Sequence, residues 1–314
     1  MKQSLHLLIL ATFFAFTACN SEENRKQPTG DTVTITHALD TVQVPVNPQR
    51  VVVLDFGALE NVELVDANVV GIPKTGLPNY LSKYENDTSV VDLGNLVEVS
   101  MEKINELQPD LIIIGGRLSD TYEDMSQIAP TIMPSSIVNG QIKALEKNLN
   151  DLGKIFDHQA VFDSALTDIK EKAKKIRTKA KQSEAEALVV LHNRGRFSAY
   201  GSGSRFGLVH DALGIEEAKK GLETDIHGAR VSNEFIQQTN PDILYIVDRS
   251  AAIGDQPLNK EEIENQLIQQ TNAYKNDKII YLDPAAWYLS GGAGVESLNI
   301  MLNEVAQTFK TGDK

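Results

Sequence analysis

The stretch "VSMEKINELQPDLIIIGGR", Val99 to Arg117, returns 132 residues later as "VSNEFIQQTNPDILYIVDR", Val231 to Arg249, in register and without a gap. A repeat of this kind constrains the fold more tightly than local propensity, because both copies must form the same supersecondary unit. In each, a serine and then a glutamate open a helical segment, a proline–aspartate pair breaks it, and a solid aliphatic run comes next, as in a strand buried on both faces. Each copy ends on an arginine just past its strand. The chain is expected to build one lobe and then a second on the same plan.

The remaining aliphatic runs extend that plan. Val51–Leu54, Val69–Ile72 and Leu111–Ile114 form a first series, and Leu188–Leu191, Ile243–Val247 and Ile279–Leu282 a second, with helix-length segments between them. That is the βα alternation of an α/β protein, and 314 residues suffice for two cores of about 130 residues each. Ahead of the first series, Val33, Ile35, Val42 and Val44 alternate around a polar turn and predict a half-buried hairpin at a sheet edge. Between the series no glycine occurs from Gly153 to Gly195 and no proline from Pro134 to Pro241. There Phe162, Leu166, Ile169, Ala173, Ile176 and Ala180 recur at steps of four and three, the stripe of one helix about 34 Å long at a rise of about 1.5 Å per residue. Two readings are open: the helix joins the lobes, or it packs on one of them. The expected division is an N-terminal lobe over 32–159, a linking helix over 160–183 and a C-terminal lobe over 184–314.

The first residues read as a processing signal rather than as part of the fold. Leu5 to Phe16 is apolar but too short to span a bilayer, and Cys19, the only cysteine, comes after two small residues. Residues 1–18 are expected to be a signal peptide and Cys19 the lipidated cysteine of a bacterial lipoprotein. An unlipidated thiol in a plain signal peptide is the other reading. The segment up to Asp31 lacks apolar side chains and reads as a flexible tether over 19–31. A net charge of −13 argues against nucleic acid as a partner, yet leaves room for an anionic ligand in a locally cationic pocket.

In open parallel sheets, ligands gather outside the carboxyl ends of the strands. Arg117 and Arg249 stand there at matched positions and would meet at the rim of one cleft if the lobes face each other. The competing reading pairs them locally with Asp120 and Asp248. Arg205 is the third cationic candidate: in "GSGSRFGLVHDALG" Ser204 is read as the cap of a short helix through Phe206, Val209 and Leu213, with Arg205 in its first turn. His227 and Tyr288 lie in loops at strand ends, and Trp287 either packs or offers a ring face to an aromatic ligand. The six histidines are scattered, and neither G-x-S-x-G nor H-E-x-x-H occurs, which argues against an α/β hydrolase.

"VPVNPQRVVVLD", "LQPDLIIIGGR", "SAYGSGSRFG", "DIHG", "NPDILYIVDR" and "IIYLDPAAWYLSGG" together resemble the class III substrate-binding lipoproteins of ABC importers, specifically those for ferric catecholate siderophores of the enterobactin and petrobactin kind. The resemblance implies two Rossmann-like lobes joined by a single long helix, with a ligand cleft between them and little closure on binding. It implies that Arg117, Arg205 and Arg249 hold the anionic iron complex, and that His227 and Tyr288 complete the coordination of Fe(III) when the siderophore supplies too few oxygens. It also implies that Glu102 and Glu234, at matched repeat positions, dock on arginines of a membrane permease served by an ATPase; alternatively they simply favour first helical turns behind Ser100 and Ser232. No permanent cofactor is expected, and the protein is expected to be a monomer, extracytoplasmic and anchored through its lipid. Haem, cobalamin and a hydroxamate siderophore are the alternative cargoes. A tris-catecholate complex of Fe(III) carries three negative charges, which three arginines would offset and a near-neutral hydroxamate would not.

Overall fold

The computed structural model describes residues 30–137, 140–222 and 227–309; Cys19, the expected signal peptide and the tether as far as residue 29 lie outside them. The strands are β1 (Thr32–Thr36), β2 (Thr41–Pro45), β3 (Val51–Leu54), β4 (Val69–Ile72), β5 (Val91–Asp92), β6 (Leu111–Ile114), β7 (Thr131–Ile132), β8 (Glu186–Asn193), β9 (Arg196–Tyr200), β10 (Glu216–Glu217), β11 (Ala229–Val231), β12 (Ile243–Asp248) and β13 (Ile279–Leu282). The helices are α1 (Phe56–Glu63), α2 (Met101–Glu106), α3 (Tyr122–Ile128), α4 (Gln141–Phe156), α5 (Gln159–Ser183), α6 (Leu208–Asp211), α7 (Asn233–Thr239), α8 (Arg249–Ala252), α9 (Lys260–Ile263), α10 (Asn272–Lys275) and α11 (Val295–Thr308).

Each lobe is built on one sheet. The first runs β5-β4-β3-β6-β7 with every neighbour parallel. The second runs β11-β9-β8-β12-β13, with β10 also beside β8. The repeated stretch becomes α2–β6 in one lobe and α7–β12 in the other, and β12 lies between β8 and β13 as β6 lies between β3 and β7. The second lobe is not a full copy, however. β9 pairs antiparallel with β8 and β11 antiparallel with β9, because Arg194 and Gly195 both turn at positive φ (51° and 74°) and make a two-residue hairpin. The hairpin read from Val33 to Val44 forms, pairing Val33 with Val44 and Ile35 with Val42, but as a two-stranded sheet of its own rather than at the edge of a larger one. Its Ile35 and Val44 instead point into the core.

Alternation along the strands explains how the lobes share an interior. Val51 and Val53 face one way and Val52 and Leu54 the other; Tyr245 and Val247 oppose Leu244 and Ile246 in the same manner. One face of each sheet carries its own outer cluster. The other faces contribute to a single continuous cluster that also takes in α1, α4, α5 and α11. The stripe expected on the long helix is the buried set of α5, and this helix connects α4 of the first lobe to β8 of the second. Burying a side chain such as Ile169 contributes about 1.5–3 kcal/mol, so the stripe ties α5 down along its length. Among the described residues no helix is long and apolar enough to cross a membrane.

Candidate functional site

Three guanidinium groups from both lobes converge on one tyrosine. Arg117 lies in the 3-10 turn Gly116–Thr121 just after β6, Arg205 in the turn between β9 and α6, and Arg249 at the start of α8, directly after β12. Tyr288 belongs to a π-helical turn, Ala285–Leu289, beyond the end of β13. The centres of the three guanidinium groups lie 5.9, 4.3 and 5.7 Å from the Tyr288 ring centroid for Arg117, Arg205 and Arg249 in turn. All are within cation–π range.

Their hydrogen bonds differ in kind. Arg249 Nε donates to the Tyr288 hydroxyl at 2.8 Å. Arg117 donates across the cleft to the main-chain carbonyls of Tyr288 (3.0 Å) and Leu289 (3.3 Å). Arg205 donates to the Tyr288 carbonyl at 2.5 Å, and its Nε is buried without a partner, a donor facing no acceptor. Burial disfavours the Arg205 charge, Tyr288 supports it, and the neighbouring Arg117 opposes it again. Among the described residues no carboxylate forms an ion pair with any of the three. Three like charges are thus gathered with no ion-paired carboxylate among the described residues, although Asp55 lines the same cavity as Arg117 and Arg205.

The local ion-pair reading of the strand-end arginines is not what the structure shows. Asp248 is buried and bonded instead to His192 Nδ1 at 2.7 Å, while its other oxygen caps α8 through Ala251 N at 2.8 Å. Arg205 does not sit in a first helical turn. α6 begins only at Leu208, and Ser204 turns its hydroxyl back to the Gly201 carbonyl at 2.6 Å rather than capping it. The glycines at 201, 203 and 207 let the loop fold on itself before a helix can start. Trp287 offers no face to a ligand: it is fully buried, donates to Glu304 at 2.7 Å and packs edge-on against Phe206.

His227 stands exposed at the head of β11, and its carbonyl accepts the Tyr200 hydroxyl at 2.9 Å. Tyr200 in turn packs edge-on against Phe206, the residue after Arg205, at 4.7 Å between ring centres. The hydrogen bonds and ring contacts around Tyr288 come from the arginines; the link from His227 towards Arg205 through Tyr200 and Phe206 starts at its main-chain carbonyl rather than at its imidazole. Glu102 and Glu234 are exposed in the first turns of α2 and α7, where Ser100 and Ser232 accept from Lys103 N and Phe235 N, each at 3.3 Å. Hydrogen bonding from Ser232 holds the Glu234 carboxyl below its ordinary range. Both glutamates therefore sit on the side of their lobes where the parallel strands end, since each helix runs back along the sheet.

Between the lobes lies a cavity of about 310 Å³, whose walls include Arg117 and Arg205 together with Asp55, Ser135, Ser136 and Gly291. Sequence reasoning missed Asp55, although it stands directly after β3 and the strand-end rule that singled out the arginines applies to it equally. Burial raises the Asp55 carboxyl above its ordinary range against the pull of Ala58 N–H and Arg117. Among the described residues no group of three or more histidine, cysteine or acidic side chains is placed to hold a bare metal ion.

Comparison with known proteins locates this architecture. The chain is 38% identical to the petrobactin-binding protein YclQ of Bacillus subtilis over 97% of its own length and 98% of the relative's. It is 32% identical to the ferric-anguibactin-binding protein FatB of Vibrio anguillarum over 97% of both. The crystal structure of YclQ superposes with a TM-score of 0.86 at 39% identity, covering 90% of this chain and all of that one. The catecholate-siderophore binding protein VctP of Vibrio cholerae superposes with a TM-score of 0.82 at 33% identity, covering 88% and 99%. With the model of the periplasmic binding protein family Peripla_BP_2 matching residues 51–286, the chain belongs to that family.

Proposed function

We propose that the protein is the extracytoplasmic substrate-binding component of an ABC importer, which captures a ferric catecholate siderophore and delivers it to a membrane permease. One observation carries the reading: Arg117, Arg205 and Arg249, from two lobes, converge on Tyr288, and among the described residues no carboxylate forms an ion pair with them. Gathering three cations costs repulsion that a trianionic chelate relieves. At an effective dielectric near 20, each new charge pair at about 5 Å contributes roughly 3 kcal/mol before desolvation. The guanidinium planes can stack on catechol rings, and the unpartnered Arg205 Nε supplies a donor to a catecholate oxygen. A near-neutral hydroxamate complex would leave these charges uncompensated. The names of the relatives, which bind petrobactin, ferric anguibactin and catecholate siderophores, support the same cargo class.

In this reading Fe(III) is cargo. Tyr288 oxygen and His227 nitrogen complete its coordination when a tetradentate chelate leaves two positions open. Glu102 and Glu234, one per lobe, are the carboxylates that meet the permease, and Cys19 carries the lipid that keeps the monomeric receptor at the membrane. The test is a quenching titration of intrinsic fluorescence, for which Trp287, the only tryptophan and the neighbour of Tyr288, is well placed. Ferric catecholates are expected to bind far more tightly than ferric hydroxamates. Tighter hydroxamate binding would overturn the cargo class.

A further inference from the structure

The helix after the Tyr288 turn starts without a cap of its own. α11 begins after Gly294, which has no side chain to offer, yet its first N–H groups are satisfied from another helix. Val295 N donates to Asn61 Oδ1 at 3.1 Å, and Ser297 donates through N (2.7 Å) and Oγ (2.8 Å) to Glu60 Oε2. Asn61 also donates its Nδ2 to the Ala293 carbonyl at 3.0 Å, so its amide is used on both sides. The Tyr80 and Ser290 hydroxyls meet at 2.9 Å. Glu60, Asn61 and Tyr80 all belong to the first lobe, and Glu60 and Asn61 are buried. A Cβ at residue 294 would fall about 2.0 Å from Glu60 Oε2, so only glycine allows the approach.

This contact lies within a few residues of the binding tyrosine. On the far side, the turn is held by Asp283 Oδ1, which accepts from Ala286 N at 2.8 Å, and by Glu304, which accepts from Trp287 Nε1 at 2.7 Å. Ser290 to Ser297 form the near side, and Ser290 and Gly291 line the cavity together with Arg117 and Arg205. We propose that Glu60 and Asn61 are positioning residues of the binding site: from α1 of the first lobe they fix the start of α11 and, through Ser290–Gly294, the turn that presents Tyr288 to the three arginines. The ligand-binding part of the proposal rests on the catecholate reading. Its conformational part does not.

Trp287 makes the two parts separable, because the sole tryptophan lies inside the turn and is buried. In the full mature protein, Asn61→Ala is expected to shift Trp287 emission to the red without any ligand. It is also expected to weaken binding of the Fe(III) complex of a linear bis-catechol amide about tenfold, the scale of one lost buried hydrogen bond, and to move its visible charge-transfer band. Glu60→Ala, which removes the acceptor for Ser297 N and Oγ, should act in the same direction. Leu244→Ala, in the outer cluster of the second lobe, serves as the control: it should lower Tm and leave emission, Kd and the band unchanged. If Asn61→Ala merely lowers Tm as Leu244→Ala does, with emission, Kd and band as in the wild type, the pair is a helix cap and the proposal falls. Should Asn61→Ala not fold, Asn61→Asp keeps the acceptor for Val295 N, loses the donor to Ala293 and carries the same three readouts. If wild-type protein binds no ferric catecholate, the cargo reading fails, and the emission shift alone decides the positioning.

Discussion

Arg117 and Arg249 occupy the same place in the two copies of the repeat and do different things. Arg249 addresses the phenol of Tyr288, the atom with chemistry to offer. Arg117 is exposed and addresses the main chain beneath it, spanning from the first lobe to carbonyls of the second. The difference originates in the turn at the end of each strand. After β12, Asp248 caps a short helix and Arg249 leaves from its first residue; after β6, Gly115 and Gly116 open a 3-10 turn, and Arg117 must reach outward. A repeated residue therefore inherits a location from duplication, while its hydrogen-bond partner is set by local turn chemistry.

Substitutions test how far that asymmetry reaches. The largest effect is expected for Arg249→Ala, which should weaken ferric catecholate binding about a hundredfold, on the scale of roughly 3 kcal/mol for one lost charge pair. Its Tm should move by less than about 3 °C, the scale of a contribution under 1 kcal/mol in a protein of this size. Arg117→Ala should weaken binding only about tenfold, as loss of a partly solvated charge does. Equal losses in the two titrations would erase the distinction. Next, Tyr288→Phe should abolish the protein-derived part of the charge-transfer band of a tetradentate chelate and leave hexadentate cargo nearly unaffected. An unchanged spectrum would remove Tyr288 from the iron and reduce Arg249 to a ring contact.

A subtler difference between the lobes concerns protons. Burial pushes the Glu60 carboxyl of the first lobe up to about 8, against hydrogen bonds from Ser297 and Ser290 and with the help of nearby Asp55; burial also pushes Glu304 of the second lobe up to about 7, with Asp283 assisting. Tyr80 also faces Glu60. A group whose folded-state value is raised binds its proton more tightly when folded. Its contribution is complete below the unfolded value of 4.5 and is lost as pH rises through the folded one. Thermal stability should thus decline from mildly acidic conditions to about pH 9, and Glu60→Gln should flatten the upper part of that decline more than Glu304→Gln does. An identical pH–Tm profile for Glu60→Gln and wild type would contradict this. The smallest effect on binding is expected for Glu102→Ala with Glu234→Ala, exposed on both lobes: unchanged Kd, but reduced uptake in cells. Undiminished uptake would detach the matched carboxylates from the permease.

Much of this molecule was legible in one sequence because the relevant signals are local. The aliphatic runs became strands, the α5 stripe became its buried face, and the duplicated stretch pointed to Arg117 and Arg249. What escaped detection depends on residues far apart in the chain. Glu60 and Asn61 stand in "FGALENVEL", where two polar side chains in a helix read as a solvated face, and their partners lie more than 230 residues away. The antiparallel insertion of β9 was signalled by the turn at Arg194 and Gly195, but the flanking "HN" and "RFSAY" carry too weak an alternation to announce a strand pair. Trp287 was ambiguous because a lone tryptophan looks alike whether it meets a ligand or Glu304.

The continuous cluster that runs through both lobes has a consequence for anyone who would turn this receptor into a sensor. If a body with one shared interior and a 25-residue spine closes as little as the resemblance implies, a pair of dyes attached to opposite rims should report almost no change in spacing on loading. The signal has to be read at the mouth itself, by a reporter near Tyr288. By the same logic, new cargo preferences should be reachable by exchanging rim side chains, without redesigning any hinge.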